Sequence, residues 1–132
     1  MAAFITFLRV TAPVFLLVGA LHLVLGLSAD SLLGAKIPPE VIADPGLDSQ
    51  NRFYGVAFAL YGVLFFLSAS NLTKYATVLR CVLWVFFASG LARLVSVLIY
   101  GVPPTLILGL LLSELIVPPV VLWWLSRVQN GS

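Results

Sequence analysis

"GLARLVSVLIYGVPPTLILGLLLSELIVPP", residues 90–119, is two apolar runs joined by Gly101-Val102-Pro103-Pro104. Each run carries one full charge, Arg93 in the first and Glu114 in the second. Neither run shows the polar face that a soluble amphipathic helix needs, so the segment reads as a membrane hairpin. Lipid admits only helices or closed barrels as spanning structures. Unbroken apolarity, rather than ten-residue alternation, selects helices. Pro104 suits the first turn of the second helix, where a missing N–H costs nothing. At about 1.5 Å per residue, Arg93 then lies roughly 10 Å inside the turn-side end of its helix and Glu114 roughly 15 Å along the next. The long arginine side chain closes that gap. An unpaired charge at this depth is costly on any scale, so the expected arrangement is an Arg93–Glu114 ion pair.

The rest of the chain fits the same solvent. It has 132 residues, 61% hydrophobic and 9% charged, with a mean hydropathy of +1.13. A soluble domain of this size has too much surface for its volume to hide so much apolar area. The net charge of +2 is small and dispersed, which argues against nucleic acid as a partner. Cys81 is the single cysteine and lies in an apolar run, so there is no disulfide framework and no metal-ligand cluster. Nothing in the chain points to a cofactor.

Four apolar runs approach the roughly 20 residues that a crossing requires: about 4–27, 53–69, 75–100 and 104–125. The fold class expected is therefore an all-α membrane protein, an antiparallel bundle of four transmembrane helices forming one domain over 1–132. Arg9 ahead of a long apolar core also suits a signal peptide. However, the apolar core is long for one, and Leu27-Ser28-Ala29 is a poor cleavage site, which favours a retained helix. Residues 28–51 hold Asp30, Glu40, Asp44 and Asp48 together with Pro38-Pro39 and "ADPGLD". This segment reads as an ordered, folded-back extracytoplasmic loop, either a lid or a tether. Arg9, Lys74, Arg80 and Arg127 lie on the side of the termini, against Lys36 and Arg52 on the loop side. That bias places both termini in the cytoplasm; the membrane expected is the plasma membrane, the inner membrane in a bacterium. The sequon Asn71-Leu72-Thr73 would then be cytoplasmic and unused.

Polar residues gather toward the loop side. Ser89, Arg93, Ser96 and Tyr100 share one helix face, expected to look into the bundle. His22 lies about five residues inside the loop-side end of the first run, and Asn51-Arg52-Phe53-Tyr54 opens the second. Gly55, Ala59 and Gly62 make a small-residue strip for close helix packing. Pro118 cannot donate to the carbonyl of Glu114, so a kink and a free acceptor are expected there. Trp123-Trp124 before Arg127 suits an interfacial aromatic belt. Gly19 to Val24 faintly echoes Gly90 to Val95, with His22 in the place of Arg93.

"LDSQNRFYG", "GLARLVSVLIYGVPP" and "SELIVPP" resemble the DUF4345 family of four-helix membrane proteins. The resemblance runs over about residues 16–124 and is most specific at Asn51, Arg52, Phe53, Tyr54, Arg93, Gly101, Pro103 and Glu114. A more distant similarity is to DoxX-like four-helix proteins. The resemblance implies an integral membrane protein and brings no assigned reaction.

Three functions are compatible with these residues. The first is a binding or accessory protein whose polar pocket takes a lipid, an isoprenoid-like ligand or a partner helix. Its ligand-binding residues would be His22, Asn51, Arg52, Tyr54, Arg93, Ser96, Tyr100 and Glu114. The second is a proton-coupled transporter acting as a dimer. The third is an enzyme on a lipid substrate with His22 and Glu114 as acid and base. No nucleophile with its base supports catalysis, so the first is expected. The expected partners are the bilayer, a lipid or small hydrophobic ligand, and a second copy or another membrane protein. Against all three stands a structural clamp in which Arg93 and Glu114 only hold helix register.

Overall fold

Apolar side chains leave the backbone to satisfy its own hydrogen bonds, and helix is the local solution. The computed structural model describes residues 1–130. The helices are α1 (Ala2–Leu25), α2 (Ser28–Leu32), α3 (Pro39–Ile42), α4 (Pro45–Ser70), α5 (Leu72–Tyr100) and α6 (Thr105–Asn130). There is no strand among the described residues. Four helices, α1, α4, α5 and α6, are long and apolar enough to cross a membrane. Even α1, with 24 residues, reaches about 36 Å at 1.5 Å per residue, more than the roughly 30 Å of a hydrocarbon core. Their outward faces are apolar as well, with Leu17 70% and Leu98 78% exposed. Such faces suit an integral, multi-pass membrane protein and would be a liability in water.

The helix ends depart from the expected ones in an instructive way. The second long helix begins at Pro45, eight residues before the expected 53. "ADPGLD" is a capped helix start: Leu47 N donates to Asp44 Oδ1 at 2.9 Å, and Pro45 follows in the first turn. Much of the expected loop is therefore helical, since α2 and α3 also lie within it. At the start of α5 the side chain of Asn71 accepts from Lys74 N at 2.9 Å, which gives the apparent sequon a capping role. The last helix continues to Asn130, and Pro118 and Pro119 stand inside it.

The chain divides into two compact units, Met1–Phe7 with Ser68–Ser132, and Leu8–Leu67. In the first, α5 and α6 form a hairpin running in opposite directions, as the pairing of Arg80 with Gln129 and of Arg93 with Glu114 requires. Gly101 makes the reversal at φ 93°, a conformation open to glycine. Leu79, Leu83, Leu111, Val121 and Leu125 are buried. The Phe4 ring meets Trp124 edge-on at 5.0 Å.

In the second unit α1 and α4 run antiparallel with their backbones in close approach. A Cβ on Gly19 would stand 2.6 Å from both Ala59 Cβ and Gly55 O, and one on Gly62 would stand 2.6 Å from Ala12 O. Gly19, Gly55, Ala59 and Gly62 are thus the small residues that let this pair close. The Phe15 ring meets Phe58 at a tilt, 5.0 Å between centroids, and Phe65 edge-on at 5.1 Å.

Candidate functional site

Six of the eight polar residues singled out in the sequence fall into two clusters, one in each unit; Tyr54 and Tyr100 join neither. The cluster in Leu8–Leu67 is built on the end of α1. Every α-helix ends with carbonyls that lack intrahelical donors. Here Arg52 Nη1 donates to Leu23 O at 2.6 Å and to Val24 O at 3.0 Å. Its Nε donates to Asp48 Oδ2 at 2.7 Å. Asp48 in turn accepts from Leu27 N at 3.3 Å, just past Gly26, whose φ of 56° turns the chain out of the helix. The Asp48–Arg52 pair, one helical turn apart on α4, therefore caps α1 from outside. Most of the donors of Arg52 are consumed by that task.

Asp30 completes this cluster. Asn51 Nδ2 donates to its Oδ2 at 2.5 Å, and His22 Nε2 lies 3.5 Å from its Oδ1. His22 Nδ1 lies 2.8 Å from Val18 O and must be the donor, because a carbonyl only accepts. Both nitrogens of His22 are engaged. Tyr54 stands apart from this cluster, with its hydroxyl donating to Gln50 Oε1 at 3.0 Å. Asp30 was not singled out as a site residue in the sequence. It lies eight residues beyond His22 across the turn at Gly26, and no helical period connects the two.

The cluster in the other unit is the α5–α6 hairpin's ion pair. Arg93 Nε donates to Glu114 Oε1 at 3.0 Å and to Oε2 at 2.8 Å. Gly90 allows the approach, since a Cβ there would stand 3.0 Å from Glu114 Cβ. The side chains differ sharply in exposure, Arg93 at 38% and Glu114 at 4%. Glutamate spends both oxygens on a single nitrogen, so the four Nη hydrogens of Arg93 have no partner among the described residues. Arg93 lines a cavity of about 90 Å³ together with Ser96, Val97, Gly101, Pro103, Ile107 and Leu111.

Ser96, one helical turn nearer the chain reversal, lines the cavity beside Arg93 but is exposed rather than turned into the bundle. Tyr100 does not face inward either. It is 86% exposed in the last residue of α5, where the chain turns before α6 has begun to cover that side. No group of three or more metal-ligating side chains occurs among the described residues.

A family model described as a domain of unknown function, DUF4345, matches residues 4–125. No curated protein and no solved structure matches the chain.

Proposed function

The chain belongs to the DUF4345 family, and from that premise we propose a membrane binding or accessory protein that holds the head group of an amphiphile at Arg93. Its architecture is one antiparallel bundle of four transmembrane helices with both termini cytoplasmic. Four unmet guanidinium hydrogens beside a small cavity, on an arginine already neutralised through Nε, carry this reading. A structural clamp would need only the contact to Glu114. The remaining donors suit a carbonyl or an anionic head group. At about 90 Å³ the cavity is well below the roughly 300 Å³ of an ordinary ligand site. It holds a head group, while the ligand's chain lies along the apolar helix surface.

The other readings find less support. A proton-coupled carrier needs a carboxylate free to exchange, whereas Glu114 is 4% exposed with both oxygens on Arg93. An acid–base enzyme needs a free imidazole nitrogen, and Val18 O and Asp30 occupy both of those on His22. Arg52 is assigned to helix capping rather than to the ligand.

The experiment is mass spectrometry of lipid retained after gentle solubilisation, comparing the wild type with Arg93→Met and Arg52→Met. A specific amphiphile lost only in Arg93→Met is the expected result. Equal retention by the wild type and Arg93→Met would remove the head-group site and leave the clamp.

A further inference from the structure

We infer that the group taken by Arg93 is an uncharged carbonyl at the head of an amphiphile rather than a phosphate. This rests on the head-group reading of Arg93 and narrows its chemistry.

Charge balance comes first. Glu114 is buried and its only polar partner among the described residues is Arg93, so the two form a formally neutral unit. Glu114 occupies the Nε end of the guanidinium, which leaves the Nη fork at the other end for a ligand in the cavity that Arg93 lines. An anion on that fork sits about twice as far from the carboxylate as from the guanidinium centre. By distance alone, repulsion cancels roughly half of the attraction. It would also leave a net negative charge in a medium that solvates charge poorly. A neutral carbonyl receives the charge-assisted hydrogen bonds and adds no charge.

The backbone does not redress the balance. The C-terminal end of α5 and the N-terminal end of α6 meet at the same turn, so their opposed helix dipoles offset each other. The number of donors agrees with the charge. Pro103 has no N–H, and the N–H of Gly101 is spent on Val97 O at 2.9 Å. That leaves the Nη fork, the Ser96 hydroxyl and the N–H of Ile107, which precedes the first intrahelical bond of α6, among the lining residues. Two lone pairs on one carbonyl oxygen match the fork, whereas the three terminal oxygens of a phosphate monoester would remain undersupplied. Val97, Ile107 and Leu111 supply the apolar wall for the first carbons beyond the carbonyl.

The test uses the full chain in dodecyl maltoside, a detergent with neither carbonyl nor phosphate. N,N-dimethylpalmitamide and palmityl phosphate are offered together in equal amounts, and the amount of each co-eluting with protein on gel filtration is measured. The wild type should retain the amide over the phosphate by roughly tenfold, as the halved attraction and the missing donors imply. Glu114→Gln removes the competing charge and should shrink or reverse that preference. The wild-type ratio is read on the unaltered protein, so a variant that folds poorly does not blunt the test. Phosphate retained as well as or better than amide, and lost in Arg93→Met, would overturn the carbonyl and keep the head-group site. Retention of both probes unchanged in Arg93→Met would overturn the site itself.

Discussion

Arg93 and Glu114 are bonded to each other, yet removing one should not cost what removing the other costs. Arg93→Met keeps most of the aliphatic stem and strands a carboxylate that is 4% exposed. Breaking a buried pair in this way costs about 3–5 kcal/mol, because the remaining charge has neither partner nor water. Glu114→Gln leaves a guanidinium that is 38% exposed, and the new amide oxygen can still accept from Nε. That loss is about 1–2 kcal/mol, the size of one charge-assisted hydrogen bond weakened to a neutral one. The double change Arg93→Met with Glu114→Gln strands nothing, so it should fall near Glu114→Gln alone. The implied coupling then equals the cost of Arg93→Met alone, about 3–5 kcal/mol. Thermal unfolding in detergent reads this series. At the few degrees per kcal/mol typical of a chain this size, Arg93→Met should lower the midpoint by roughly 10 °C or more and Glu114→Gln by roughly half of that or less. Equal losses for the two single changes would refute the asymmetry, and additive losses in the double change would mean the pair is not an energetic unit.

Gly19→Ala and Gly62→Ala should each destabilise by about 1–3 kcal/mol, because the added methyl meets backbone or Ala59 at 2.6 Å. Gly109→Ala points into open space and should be neutral or gain about 0.5–1 kcal/mol. A melting series covers all three, and an indifferent Gly19→Ala would contradict the close α1–α4 approach. Arg52→Met should free the Leu23 and Val24 carbonyls and increase hydrogen exchange at the end of α1 while leaving lipid retention at Arg93 intact. Unchanged exchange there would rule out the external cap. For topology, Asp44→Cys and Asn130→Cys in a background lacking Cys81 should label from opposite faces of the membrane, and labelling from one face would overturn the proposed orientation.

The sequence by itself determined the helical class, four membrane-length helices, the family and the pairing of Arg93 with Glu114. All of these follow from length, hydropathy and register along one or two adjacent helices, quantities that a linear chain carries. The ion pair is legible because the turn at 101–104 is short and forces residues at matching depth together. The early start of α4 was also written in "ADPGLD", where a capping aspartate before proline resembles a turn until its carboxylate is seen on Leu47 N.

Tertiary structure alone decided the division of labour between the two arginines. Both look equally available in sequence, at similar distances from apolar helix ends. Arg52 is consumed because α1 ends opposite it with unpaired carbonyls, 28 and 29 residues away in the chain. Arg93 keeps its Nη hydrogens because Glu114 approaches from the Nε side only. Which end of a guanidinium is occupied depends on side-chain approach in three dimensions, and no spacing along the chain encodes it.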